Sequence, residues 1–289
     1  MKKVEKLLYC TPYQVVNNNY IENQKYIWSR LGFDVRSVRT IKLTSILNRH
    51  NNVGVMNWLE DSIVDPKTGV VTLKLFIQRM SILILLRVVC GKLIWVRHNY
   101  VPHKMNSSKI SFLLFNMFCK VIYIISNKKV SHAPTSDNFN GIIIEHPLYP
   151  RVEKYKQEIL NDFLILGEVS EYKKIDQLLE YWPEELALKI AGICHSQTLE
   201  NKIKKIISER NLKVLWDNSF LPDEEVEILL SSSKIVVIPN MESSMIVSGV
   251  FYHAISNGCS TLMRKSAFFD YISTWFSNAE SFNGKDINF

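Results

Sequence analysis

Short runs of β-branched and apolar residues, each stopping in a polar loop and followed by a stretch of helix length, recur along the whole chain. This alternation constrains the fold more than any other feature of the sequence. Strands joined through helices pair in parallel, and the repeat builds a doubly wound α/β sheet whose ligands bind beyond the strand carboxyl ends. The cycle opens with Val4 to Cys10 as a strand, the loop Thr11 to Asn19, a helix from Tyr20 to Leu31, Gly32 as its cap, and a strand from Phe33 to Val38. Asn52 to Asn57 reads as a third strand, and Trp58, Glu60 and Asp61 follow at its end. A helix from Thr72 to Cys90 then leads to the apolar strand Lys92 to Val96. Arg97, His98, Asn99, Tyr100, Pro102 and His103 come directly after it.

Met105 to Cys119 reads as a helix with a broad apolar stripe flanked by Lys104, Lys109 and Lys120. Such a stripe serves either a core or a membrane surface. Val121 to Ile125 and Ile142 to Glu145 have the composition of strands, and His146 to Pro150 breaks the pattern before a charged helix at Val152 to Leu160. The cycle restarts with the strand Phe163 to Leu166, the loop Gly167 to Lys174 and a helix through Ile175 and Leu179. It continues through Leu186 to Ala191, a helix at Gln197 to Glu209, Lys213 to Trp216, the loop Asp217 to Leu221, and a helix opened by Pro222 and three acids, as the helix dipole favours. The pattern predicts two α/β domains, residues 1–150 and 151–289, each large enough to bury its own core.

The stretch from Pro239 to Leu262 gathers the strongest ligand signals. The strand Lys234 to Ile238 stops at Pro239, Glu242, Ser243 and Ser244 follow, and Ser248, Gly249 and Val250 open a helix that Asn257 and Gly258 end. The first N–H groups of a helix lack internal partners, and a glycine lets a phosphate approach the backbone closely. The plainer alternative is that Gly249 only eases helix packing.

Charge divides the chain: residues 1–151 carry 21 Lys and Arg against 8 Asp and Glu, and residues 152–289 carry 14 against 20. A basic first half suits an anionic membrane surface or a phosphorylated acceptor; aromatic-interleaved basic runs of the kind that bind nucleic acid are missing, and no nucleic-acid partner is expected. Five scattered cysteines without a CxxC pair read as buried thiols of a reducing compartment. The N-terminal apolar run is too short for a signal peptide, and Arg87 and Lys120 interrupt the longest apolar stretches. The expected location is cytoplasmic, with peripheral attachment to the inner face of the plasma membrane as an option.

Several blocks, taken in order, resemble the GT-B glycosyltransferases of bacterial surface-polysaccharide assembly. They are Asn18-Asn19-Tyr20 with Leu31 to Val35, the His98 to His103 loop, Phe163 to Gly167 with Tyr172 to Asp176, Ile190 to Gly192, Phe220 to Val226, and Ser248-Gly249-Val250 through Gly258. The resemblance covers most of the chain. It implies two Rossmann-like doubly wound domains facing a cleft, with the acceptor bound by the first and a nucleotide-sugar donor, GDP- or UDP-linked, by the second. The acceptor it implies is a lipid-linked or other saccharide.

By the same resemblance Lys173 and the N–H groups of Ser248, Gly249 and Val250 meet the donor diphosphate. Glu242, Ser243 and Ser244 stand beside it, and Phe220 and Leu221 meet the base. Asn19, Tyr20 and His103 fall on the acceptor side. No cofactor and no metal are expected, because the fold uses none for the diphosphate and no DxD pair is present. An inverting reaction needs a general base, for which His98 is preferred over Glu60 and Asp61, whereas a retaining one needs none and leaves His98 to contact the sugar; both stay open. The chain departs from the pattern where Met245 and His253 replace two glutamates and Ser170 replaces an arginine. A non-catalytic subunit that docks on a partner transferase therefore stays open.

Overall fold

The computed structural model describes residues 6–15, 19–102, 105–106, 108–135, 137, 139–149, 158–240 and 246–283. They belong to two compact units, one spanning Met1–Pro147 with Ser243–Val247, the other Leu148–Glu242 with Ser248–Phe289.

The first unit contains β1 (Lys6–Thr11), α1 (Asn19–Arg30), β2 (Phe33–Ser37), β3 (Val53–Asn57), α2 (Leu73–Val89), β4 (Lys92–Arg97), α3 (Lys109–Ile125), β5 (Lys128–Ser131) and β6 (Ile142–Ile143). Its strands form one parallel sheet in the order β2-β1-β3-β4-β5-β6. Right-handed crossovers that step from β3 to β5 lay α2 and α3 on one face, and the reverse step from β1 to β2 lays α1 on the other. The packing follows. Leu83, Leu86, Phe115, Phe118 and Ile122 close over Met56, Leu93 and Trp95, while Trp28 of α1 covers the face built from Leu8, Val55 and Val96. The winding direction reverses between β1 and β3.

The second unit contains β7 (Asn161–Leu166), α4 (Ile175–Leu179), β8 (Leu188–Ala191), α5 (Gln197–Glu209), β9 (Val214–Asp217), α6 (Asp223–Ser231), β10 (Ser233–Ile238), α7 (Gly249–Ser256), β11 (Ser260–Arg264), α8 (Ala267–Ile272) and β12 (Ala279–Phe282). These strands also pair in parallel, in the order β12-β11-β10-β7-β8-β9, so the reversal here lies between β7 and β10. The expected fold class, α/β with two doubly wound sheets, is the one observed.

Two local expectations differ from the structure. Val121 to Ile125 is not a strand but the last turns of α3, and the strand stands three residues later as β5. The run is β-branched, yet Ile122 continues the buried row of Phe115 and Phe118, and packing on the sheet overrides strand propensity. Of the helix expected at Val152 to Leu160, residues 152–157 lie outside the described residues, and Glu158 to Leu160 are not helical. The structure also adds a 3-10 segment at Leu43–Asn51, then α8 and β12, for which the sequence reading made no prediction. Among the described residues no helix is long and apolar enough to cross a membrane.

Candidate functional site

In a doubly wound sheet the crevice that takes a ligand opens where the winding reverses, beyond the strand carboxyl ends. In the second unit this point falls between β7 and β10. A shallow crevice of about 200 Å³, open solvent included, lies there, lined by Ile165, Leu166, Lys173, Val237, Ile238, Pro239, Asn240 and Val250. Its enclosed space is no more than about one water molecule's, so it marks a position at the strand ends and not a pocket that encloses a ligand. Lys173, carried by a 3-10 turn after β7, is only 6% exposed and donates Nζ to the Leu166 carbonyl at 3.3 Å. Burial pulls its pKa down to about 8, against a smaller upward pull from Glu168. Among the described residues it has no ion-pair partner.

Two glycines allow this arrangement. Gly167 has φ +91°, and a Cβ there would stand 3.3 Å from the Lys173 ammonium. Gly192 has φ +152° and packs so closely on Gly167 that a Cβ would meet its carbonyl oxygen at 2.4 Å. Across the crevice α7 begins at Gly249, capped by Ser248, whose Oγ accepts from Phe251 N at 3.3 Å. The N–H groups of Gly249 and Val250 have no partner among the described residues. Among the described residues a Cβ at Gly249 would meet only Tyr149 Oη, at the ordinary distance of 3.8 Å, so packing against them does not require glycine there. At the other end Gly258 takes the left-handed cap with φ +84°.

The first unit carries a polar cluster at the carboxyl ends of β3, β4 and β5. Tyr20 of α1 reaches His132 Nε2 at 2.7 Å, and His132 Nδ1 bonds the Ile144 carbonyl at 3.0 Å. A carbonyl only accepts, so His132 holds its proton on Nδ1 and receives the Tyr20 hydroxyl on Nε2. His98 Nε2 bonds Asn57 Oδ1 at 3.1 Å, and Gln24 ties Asn57 to Tyr20 through bonds of 2.9 and 2.8 Å. The same logic puts the His98 proton on Nε2 and leaves the Nδ1 lone pair. Trp58 stacks on the His98 ring at 4.0 Å and has φ +50°, a strained conformation for a bulky residue and of the kind that gathers at functional sites. Burial, with His132 and His146 adding repulsion, holds His98 well below the usual imidazole range. Burial takes His132 down to about 4 and His146 to about 3.

No protein-family model and no curated protein sequence matches the chain. Solved structures do. A glycosyltransferase involved in avilamycin A biosynthesis, AviGT4, superposes over 97% of this chain and 85% of its own, with a TM-score of 0.56 and 11% identity. A glycosyltransferase from Rickettsia africae matches over 98% of this chain and 85% of its own, with a TM-score of 0.50 and 15% identity. The fold is the GT-B fold.

Within the GT-B frame the residues expected from sequence separate into groups. Lys173 and Val250 line one crevice, with Ser248 and Gly249 at the start of the adjoining helix. Phe220 and Leu221 follow β9, two strands from β7, and do not line that crevice; Phe220 is exposed and Leu221 buried. Glu242, Ser243, Ser244 and His103 lie outside the described residues, as does Met245. Asn19 opens α1, and Tyr20 is buried in the histidine cluster. His253 is engaged by Glu227 of α6 at 2.6 Å; burial, which pushes the Glu227 carboxyl up, is outweighed only by the combined pull of His253 and Asn257, which leaves it below the usual range.

Glu60 and Asp61 depart from the reading that put them in a loop able to reach an acceptor. Glu60 is 1% exposed, with Oε2 accepting from Trp95 Nε1 at 2.9 Å, and Asp61 accepts from Asn99 Nδ2 at 2.6 Å. Burial first, then the charge of Asp61, raises the Glu60 pKa, and burial raises that of Asp61. They form an internal acid pair of the first unit. Sequence reasoning also passed over Asn240, Tyr149 and Arg264. Arg264 ends β11, beside β10, and donates Nε to the Pro239 carbonyl at 3.0 Å; the polar residue ending an apolar strand was its visible signal. Tyr149 lies along α7, its N–H bonded to Ser256 Oγ at 2.9 Å and its ring 4.8 Å from His253.

Proposed function

We propose that the protein is a glycosyltransferase that moves a sugar from a nucleoside-diphosphate donor to a hydroxyl acceptor. One observation carries this reading: a buried lysine, without an ion-pair partner among the described residues, faces the switch-point crevice of the second unit, opposite a helix N-terminus opened by a glycine. A buried cation is costly unless an anion joins it, and a helix start supplies further N–H donors to the same anion. As the bond from the sugar to the diphosphate breaks, negative charge grows on the leaving phosphate. Lys173 and the Gly249 and Val250 N–H groups are set to stabilise that charge without a metal ion. The acceptor is assigned to the first unit, near Tyr20 and His98, where the neutral His98 Nδ1 is the group able to take a proton from the attacking hydroxyl. A hexose carried by GDP or UDP, and a lipid-linked or oligosaccharide acceptor of surface-polysaccharide synthesis, are the finer parts of the proposal.

A second reading is favoured by the burial of His98 and Glu60 and by the Glu227 bond to His253. In it the chain binds nucleotide and serves a partner transferase without catalysing. A melting-temperature panel with UDP, GDP, CMP and their sugar conjugates, with and without EDTA, decides between them when paired with a donor-turnover assay. One nucleoside diphosphate is expected to raise the melting point irrespective of EDTA, and Lys173→Ala to lower its affinity at least about tenfold. Binding without turnover on any saccharide acceptor supports the second reading. No shift with any nucleotide, in folded protein, removes the donor crevice itself.

A further inference from the structure

Two helices of the first unit carry more apolar surface than their core uses. On α3 the residues Ser111, Phe115, Phe118 and Ile122 are buried, yet Ile110, Leu113 and Ile124 are 70, 68 and 68% exposed, with Met117 between them. The outer positions follow one another at helical spacing, so they form a second stripe rather than scattered exceptions. α2 does the same: Leu83, Leu86 and Val89 face inward, and Leu73, Ile77, Ile84 and Val88 stand outside. A helix that only covers a globular core has one apolar stripe and places its charges opposite. Both helices lie on the same face of the sheet and share one core cluster, so their outer stripes share a side of the unit.

Charge identifies what covers this side. From Pro66 to Ser136 the sequence holds eleven Lys and Arg and not one Asp or Glu. Lys74, Lys109 and Lys120 are exposed on α2 and α3 and make no ion pair among the described residues. We propose that this face docks on an anionic lipid surface, its aliphatic side chains entering the headgroup boundary and its lysines meeting the phosphates. A second copy of the chain fits less well, because a two-fold contact sets each lysine of one copy against those of the other. Nucleic acid would call for stacking aromatics, and the outer stripes are chiefly aliphatic. The proposal does not depend on glycosyl transfer, since the docking face is separate from the donor crevice.

Flotation of the full chain with vesicles of phosphatidylcholine alone, or with a third phosphatidylglycerol, tests it without any nucleotide. Binding is expected to the mixed vesicles, weakening as salt rises, with at most weak binding to the neutral ones. Two variants probe the two contributions, Leu113→Ser/Met117→Ser and Lys109→Glu/Lys120→Glu. All four positions are exposed, so the melting temperature should hold. Each pair is expected to lower binding at least about tenfold. The idea is overturned if folded protein fails to float with the anionic vesicles, or if either pair binds like the parent. It is equally overturned if sedimentation shows a dimer that Leu113→Ser/Met117→Ser separates.

Discussion

Lys173 decides how the crevice between β7 and β10 behaves toward protons. Burial brings its pKa from 10.5 to about 8, which makes the ammonium in the empty site less stable by about 3 kcal/mol at neutral pH. The sign follows from the depressed value: the unfolded chain holds this proton more tightly than the folded one, so the empty protein gains stability as pH rises from 8 toward 10.5. A diphosphate reverses the preference and draws a proton onto the amine. Calorimetric titration at pH 8 in buffers of different ionisation enthalpy is therefore expected to report uptake of up to about 0.5 proton per nucleoside diphosphate bound. Heats that do not change with buffer would refute this role for Lys173. Arg264, which donates Nε to the carbonyl of Pro239 in the crevice lining, is a second cation near it. Arg264→Ala is expected to weaken nucleotide binding about tenfold, as for loss of one charge-assisted bond. An unchanged dissociation constant would confine it to packing on Phe282.

At the scale of elements, α3 shows how a run of strand-forming residues is held helical. Ile122 is fully buried among Phe115, Phe118 and the sheet, and Ile124 is in solvent. In a strand, residues two apart share a face, whereas in a helix they point about 200° apart. Ile122→Ala is expected to cost about 2–5 kcal/mol and Ile124→Ala less than about 0.5 kcal/mol, measured by urea unfolding. Equal losses at the two positions would fit a strand and exclude the helix. The start of α7 teaches a related lesson. Its cap, its glycine and its left-handed end at Gly258 were legible in sequence because each is a local backbone requirement. Tyr149, which lies along that helix from about a hundred positions away, left no local mark.

For the first unit as a whole, two buried groups of opposite sign set the pH range of stability. His98, His132 and His146 are depressed, so the unfolded chain takes up protons below pH 6.5 that the folded one refuses until about pH 4 for His132 and about 3 for His146. Their contribution is complete above pH 6.5 and lost as pH falls, each by up to about 1.4 kcal/mol per pH unit. Glu60 and Asp61 are raised, so theirs is complete below the ordinary carboxylate range and lost as pH rises through their folded values. Three imidazoles outweigh two carboxyls on the acid side, and only the carboxyls act on the alkaline side. Stability is expected to peak near pH 6, and Glu60→Gln to flatten the alkaline limb while steepening the acid one, seen in melting curves from pH 4 to 9. A Glu60→Gln profile that keeps its alkaline decline would show that Glu60 is ionised in the folded protein.

Periodicity, turn residues and caps determined by themselves that this chain is a pair of α/β sheets with Lys173 and Gly249 at strand and helix ends, because those requirements act within a few residues. Strand order is different. Only the tertiary structure placed β7 beside β10, turned Glu60 inward against Trp95, joined Tyr20 to His132 across more than a hundred residues, and brought Arg264 to Pro239. Each of those depends on which distant segments pack together, a choice made by burial over the whole sheet and not by any one stretch.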